Sequence, residues 1–244
     1  MYMLPPISLC IATMKRWDFL KNYLPDYLNN PYIHEIVICD ETGEDVKTIK
    51  EIYGSVEKIK LYTNEKRMGP FLNKEKVVRL ASNDWVCLVD SDNFVPLTYF
   101  EALDTFLVDN NKTPNQNIIY CPSRASGFVF NEFLGLEIDG KNAKQIYNNP
   151  NGTILFNTGN YILHKSLMNI PIPEGHEDYP MECLAMDVLY RNYLCLAKGV
   201  KLCVVPNMEY IHTIHDGSFW IQSHKQIDKN IFEELLFSLS DYSN

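Results

Sequence analysis

Trp85-Val86-Cys87-Leu88-Val89-Asp90-Ser91-Asp92-Asn93 is the stretch on which the reading of this chain turns. Five apolar residues run straight into two carboxylates set one residue apart. A short continuous apolar run bounded by turn residues suits a strand buried on both faces. The carboxylates then hang from the strand's tip, and in open α/β sheets ligands gather beyond the carboxyl ends of strands. Residues one and three of such a turn can aim their oxygens to one side. A hard ion such as Mg²⁺ or Mn²⁺ takes oxygen ligands while also gripping a substrate phosphate. The plainer alternative is a turn in which Asp and Asn hydrogen-bond their own backbone.

Three earlier runs have the same form. Ile7 to Ala12 leads into Thr13, Lys15 and Arg16; Glu35 to Cys39 into Asp40 and Glu41; Lys58 to Tyr62 into Asn64 and Arg67. Helical spacing fills the gaps, with Phe19, Leu20, Tyr23 and Leu24, then Val46, Ile49, Ile52 and Tyr53, then Phe71, Leu72, Val77, Val78 and Leu80. Strand alternating with helix predicts an α/β fold with a mainly parallel central sheet flanked by helices. The four strand ends would lie side by side and offer cations, a carboxylate and a metal site to one anionic ligand.

This series of motifs resembles the GT-A glycosyltransferases, especially the inverting, family-2-like enzymes that use nucleotide sugars, from residue 7 to residue 215. The resemblance implies that the turn after the first strand (Thr13, Lys15, Arg16) touches the donor, that Asp40 contacts its nucleoside, and that Asn64 and Arg67 line the loop leading to Gly69. Within Asp90-Ser91-Asp92 it implies Asp92 as the direct ligand of Mn²⁺ or Mg²⁺, Asp90 as a ribose or water-mediated metal contact, and Ser91 beside the donor. The family's Asp-Asp-Gly-Ser after the second strand is replaced here by Asp40-Glu41-Thr42-Gly43.

The second half carries the acceptor side in this resemblance. Asn157-Thr158-Gly159-Asn160 matches the loop near the transferred sugar. Met181 to Lys198 reads as a helix stopped at Gly199. Asp187 on it matches the Asp of the family's Glu-Asp catalytic pair, with Met186 in place of the Glu, which makes Asp187 the expected general base. Glu182 and Asp178 are the alternative bases, and an Asp187/Arg191 surface pair at i,i+4 is the structural alternative. After a strand over residues 200–205 come His212 and His215, where many GT-A enzymes place a His that joins the metal. In an extended segment these two face opposite sides, so at most one is a direct ligand. Gly217 and Ser218 could bring backbone N–H groups to the pyrophosphate.

Composition sets the bounds. A chain of 244 residues with 46% hydrophobic content can bury one sizeable core. We expect a single domain in two parts, residues 1–125 for the nucleotide sugar and 126–222 for the acceptor, with an amphipathic helix over 223–244. Net charge −9 and the absence of any basic stripe argue against nucleic acid as a partner. An acidic protein that binds a diphosphate needs local cations and a metal, the role expected of Lys15, Arg16, Arg67 and the Asp pair. Seven cysteines without a Cys-X-X-Cys pair, three of them on presumed buried strands, favour a reducing compartment. No signal pattern or membrane span is evident, so the expected location is the cytoplasm, with peripheral membrane contact left open.

Residues 127–152 read as a long Asn- and Gly-rich loop with one short helix. The expected function is transfer of a sugar from a UDP- or GDP-sugar to a glycan or other hydroxyl. The rivals are a sugar nucleotidyltransferase, which wants a Gly-rich phosphate loop that Ala12 to Arg16 lacks; a phosphatase, whose Asp-X-Asp normally stands near the N-terminus; and a non-catalytic carbohydrate-binding protein.

Overall fold

Apolar runs that lie between helices on both faces should be buried at almost every position, and strand β1 (Ile7–Thr13) is. The computed structural model describes residues 3–174, 186–218, 234–236 and 238–239. From β1 the chain passes through α1 (Trp17–Asn29), β2 (Ile33–Asp40), α2 (Glu44–Tyr53), β3 (Ile59–Thr63), α3 (Gly69–Arg79), β4 (Trp85–Asp90) and α4 (Leu97–Asp109). It continues through β5 (Ile118–Ala125), β6 (Phe128–Val129), β7 (Glu137–Ile138), α5 (Ala143–Tyr147), α6 (Pro150–Leu155), β8 (Tyr161–His164), α7 (Met186–Ala197) and β9 (Lys201–Tyr210).

Among the described residues these strands form one sheet in the order β3-β2-β1-β4-β8-β5-β9-β7, with β6 on β5. β1 pairs in parallel with β2 and β4, β2 with β3, and β5 with β9, while β8 runs antiparallel between β4 and β5. The sheet is therefore mainly parallel, as the alternation of elements predicts. Because β8 sits between β4 and β5, the two halves of the chain share one sheet and contribute to the hydrophobic clusters on both of its faces.

Alternate residues of each strand serve opposite faces. Leu9, Ile11, Ile36, Ile38, Cys87 and Val89 pack under α1, α2 and α4, whose buried residues include Leu20, Leu24, Ile49, Tyr99 and Leu103. Cys10, Val37, Cys39, Val86 and Leu88 pack under Phe71, Val77 and Val78 of α3 and Leu189 and Leu194 of α7. The described cysteines are all buried and free, so they act here as small core residues.

Two expectations need correction. The strand that should end before Pro206 runs on to Tyr210. Its pairing with β5 slips between Pro122 and Arg124, so Val205 and Glu209 flank an excursion in which Asn207 takes φ +62°. Proline has no N–H for the ladder, and a bulge lets the strand continue past it. Residues 127–152 are also more ordered than a loop, since they carry β6, β7, α5 and the start of α6. The first turns of the helix expected from Met181, with Asp178 and Glu182, lie outside the described residues. So does most of the expected C-terminal helix, of which 234–236 and 238–239 are helical, with Leu235, Leu236 and Leu239 buried in the core.

Candidate active site

Strand register brings the site together. Ala12 lies opposite Asp90, Thr13 opposite Asp40, and Asp40 opposite Thr63, so the carboxyl ends of β4, β1, β2 and β3 form one edge. The turn after β4 is bolted from several directions. The Asn93 N–H donates to Asp90 O at 2.9 Å, and the Asp90 N–H donates to the side-chain oxygen of buried Asn160 at 3.0 Å. Tyr99 OH donates to the Asn160 carbonyl, and Asn160 Nδ2 donates to Thr158 O. On the other flank Tyr23 OH donates to Asp92 O, and the Thr213 N–H donates to Asn93 Oδ1. Phe94 and Ile211 exchange backbone hydrogen bonds, which draws the segment after β9 across the turn.

With the backbone held, the carboxylates are left to polar partners. Lys74 Nζ of α3 stands 2.6 Å from Asp90 Oδ1 and 2.6 Å from Asp187 Oδ2 on α7. Burial works to lower the Lys74 pKa, but Asp187 and then Asp90 outweigh it and raise it above the ordinary lysine value, so the side chain stays an ammonium. Asp92 Oδ2 lies 3.1 Å from His215 Nε2 and 3.8 Å from Arg16 Nε. The His215 ring is propped on Phe19, centroids 4.7 Å apart. Arg16 is tied down by its Nη2, which donates to Gly217 O at 2.6 Å.

A divalent cation fits the chemistry of this edge. Asp92 and His215 are an oxygen and an imidazole ligand already side by side, a mixture that Mn²⁺ accepts. Among the described residues no group of three or more His, Cys, Asp or Glu side chains is positioned to hold a metal. Among the described residues Asp92 and His215 would therefore be only part of a ligand set.

Of the two histidines, only His215 faces the Asp pair. His212 Nδ1 is 3.5 Å from Tyr210 OH, and its ring meets Phe128 edge-on. Gly217 presents its carbonyl to Arg16, and the Ser218 N–H donates to His215 O at 2.9 Å. Ser91 is buried within the turn.

Residues expected to meet the nucleoside are engaged in the scaffold. Thr13 OH donates to Asp45 Oδ2 at 2.6 Å, and Asp45 also accepts from the backbone N–H groups of Arg16 and Trp17. Asp45 thereby satisfies free donors at the start of α1 from another helix. Asp40 is fully buried and accepts from the N–H groups of Thr42 and Val46, so its carboxylate holds the first turn of α2. Lys15, with φ +57°, points out to an exposed pair with Glu44, and Arg67 is exposed. Asn64 is buried, donating to Glu41 Oε2 and Asn73 Oδ1 and accepting from Lys76 Nζ. Glu41 also accepts from the Met68 N–H, while its Oε1 is buried with no hydrogen-bond partner among the described residues.

The surface pair of Asp187 with Arg191 does not form. Arg191 is buried, pairs with Glu75, and lies over the Phe71 ring at 4.8 Å. Lys74 and Tyr99 were not picked out by sequence reasoning, and Asn160 only as part of the loop after Asn157. The signal for Lys74 was present: a lysine at i+3 from Phe71 and i−4 from Val78 sits on the apolar face of α3, where a cation needs partners.

Comparison with known proteins agrees with this architecture. The family model for glycosyl transferase family 2 matches residues 8–168. No curated protein sequence matches. Among solved structures, S. aureus TarS 1-349 in complex with UDP-GlcNAc superposes with TM-score 0.64 at 15% identity, over 96% of this chain and 65% of that one. The same TarS fragment in another crystal structure gives TM-score 0.62 at 16% identity, over 86% of this chain and 60% of that one. A mannosyltransferase from Pyrobaculum calidifontis in complex with GDP-Man and Mn²⁺ gives 0.63 at 12% identity, covering 97% and 69%. This chain thus spans 60–69% of the length of these structures, and at such identities the likeness is one of fold. A family model that covers most of the chain, on a fold shared with glycosyltransferases, leads to one conclusion: the chain belongs to glycosyl transferase family 2.

Proposed function

We propose that this protein transfers a sugar from a nucleoside-diphosphate sugar, a UDP- or GDP-sugar, to a hydroxyl of a glycan or similar acceptor, with inversion at the anomeric carbon and dependence on a divalent cation. The observation that carries the reading is the gathering of Asp90, Asp92 and Asp187 at one strand edge, Asp90 and Asp187 joined by Lys74 and Asp92 set against His215 and Arg16. Family membership supports it, as do the UDP-GlcNAc and GDP-Man carried by structures of the same fold.

Asp92 and His215 would hold Mn²⁺ or Mg²⁺, with Asp90 beside them as a ribose or water-mediated contact. When bound, such an ion offsets the negative charge that grows on a departing diphosphate. Arg16, fixed by Gly217, adds a cation on the same side. Asp187 takes the proton of the attacking hydroxyl. Its Oδ2 is held by Lys74, so Oδ1 would be the oxygen that takes that proton. A single displacement with the base opposite the leaving group inverts the anomeric centre.

The buried free cysteines support work in a reducing compartment such as the cytoplasm, and no helix among the described residues is long and apolar enough to cross a membrane. A panel of UDP- and GDP-sugars with Mn²⁺ should raise the melting temperature for the true donor. Asp187→Asn should keep that shift while transfer falls by about 10²–10⁴ in kcat. Wild-type turnover in Asp187→Asn would remove the base assignment, and absence of a shift with every donor would remove the nucleotide-sugar reading.

A further inference from the structure

Helices α3 and α7 meet through charge. Lys74 of α3 reaches Asp187 in the first turn of α7, and Glu75, the next residue of α3, pairs with Arg191 one turn farther along α7. The signs are crossed. Exchanging partners would set Lys74 against Arg191 and Asp187 against Glu75, like charge on like, so the two pairs together admit one arrangement of the helices. Glu75 and Arg191 are both buried, and burial pushes the Arg191 guanidinium down to about 10, which leaves it charged at neutral pH. Stability alone does not explain the pair. Its Arg191 Nε is buried with no hydrogen-bond partner among the described residues, a loss that two apolar side chains of the same volume would avoid.

Resting on the reading of Asp187 as base, we propose that Glu75 and Arg191 are positioning residues whose pair fixes the height and rotation of α7 against α3 and thereby places the Asp187 carboxylate. Helix ends fray, so the place of a side chain in the first turn depends on how the next turn is held. Arg191 holds that turn from several directions. Its guanidinium lies 4.8 Å over the Phe71 ring of α3, and its Nη1 donates to Ile170 O at 3.2 Å, on the segment after β8. Glu75 is braced in turn by Arg79 Nη2 at 3.0 Å. Four residues of helix separate Arg191 from Asp187, a rise of about 6 Å, and a planar guanidinium fork fixes direction as well as distance.

The test is a variant that loses the charges and keeps the fold. Glu75→Gln with Arg191→Met removes both charges at similar volume, so no buried ion is left unpaired and the melting temperature should stay near wild type. Turnover is then measured with the nucleotide sugar that raises the melting temperature of the wild-type protein. kcat should fall about tenfold or more at unchanged donor KM, because a misplaced base is felt in the transition state and not in donor binding. In an Asp187→Asn background the same two changes should lower kcat no further, since they act through that carboxylate. Wild-type kcat in the folded double variant overturns the proposal, as does a donor KM that rises while kcat falls, or a loss that persists undiminished in the Asp187→Asn background. Should the double variant fail to fold, Arg191→Lys decides: it keeps the charge without the planar fork, so kcat should fall several-fold at unchanged donor KM, and wild-type kcat is the refuting result. Wild-type turnover of Asp187→Asn would remove the base reading and this proposal with it, whereas an impaired Asp187→Asn beside a fully active double variant removes the positioning role alone.

Discussion

Gly159 and Gly199 both have left-handed backbone, φ +71° and +77°, yet their surroundings differ completely. A Cβ at Gly199 would meet nothing within 4 Å, whereas at Gly159 it would lie 3.0 Å from Val188 Cγ2 and 3.6 Å from Asp90 Oδ2. Alanine in the left-handed region costs about 1–2 kcal/mol, so each single substitution should lower the melting temperature by roughly 2–8 °C in a domain of this size. Gly159→Ala adds the cost of moving Val188, about 1–3 kcal/mol if the core resists. Val188 is the neighbour of Asp187 on α7, so the same push shifts the candidate base. A displacement of a few tenths of an ångström at a reacting group should lower kcat about tenfold. Differential scanning calorimetry and a nucleotide-sugar turnover assay on the two variants separate the terms. Equal melting temperatures with wild-type kcat in Gly159→Ala would show that the Asp90–Lys74–Asp187 cluster is not sensitive to this contact, and the reasoning would fail.

Two further outcomes test the metal edge and the scaffold. His215→Ala should weaken Mn²⁺-promoted nucleoside-diphosphate binding, while His212→Ala should leave it near wild type; isothermal titration that shows equal losses would contradict the one-sided geometry. Glu35, buried at the far end of β2, accepts from Ser8 OH and from the Ser82 N–H and OH. Burial works to raise its pKa, but those hydrogen bonds outweigh it and hold the carboxyl below the ordinary glutamate value. A folded-state pKa below the unfolded one gives stability that is full above the unfolded value, about 4.3, and is lost as pH falls through the folded one. Wild-type melting temperature should therefore fall more steeply with acid than that of Glu35→Gln, and parallel curves would sink the assignment.

Much of this fold was legible because its decisive features are local. Buried parallel strands write themselves as apolar runs, and the carboxylates after Val89 follow at once. Thr13 and Asp40 were harder, because their partners are set by the way α2 packs. Asp45 collects the Thr13 hydroxyl and the first N–H groups of α1 from 32 residues away in sequence, and no spacing rule reports a cap delivered by another helix. The end of β9 was misread because a proline normally closes a ladder, and the bulge that carries the strand past Pro206 depends on its partner β5. Lys74 shows the opposite case. Its place on an apolar helical face was visible, but its two carboxylate partners come from elements that meet only in the folded sheet.

The linkage of Asp90 to Asn160 bears on recombination within the family. Asp90 donates its N–H to Asn160, Tyr99 donates to the Asn160 carbonyl, and Tyr210 OH and Asn192 Nδ2 hold the same loop through Thr158 O and Phe156 O. A chimera built by exchanging everything after β5 would import a foreign residue at 160. The amide of the first Asp of the pair would then lose its partner. Grafts of that kind should carry Asn160 and its tyrosine and asparagine supports unchanged and confine the exchange to residues 127–155, where β6, β7, α5 and α6 can be replaced without touching the turn that holds the carboxylates.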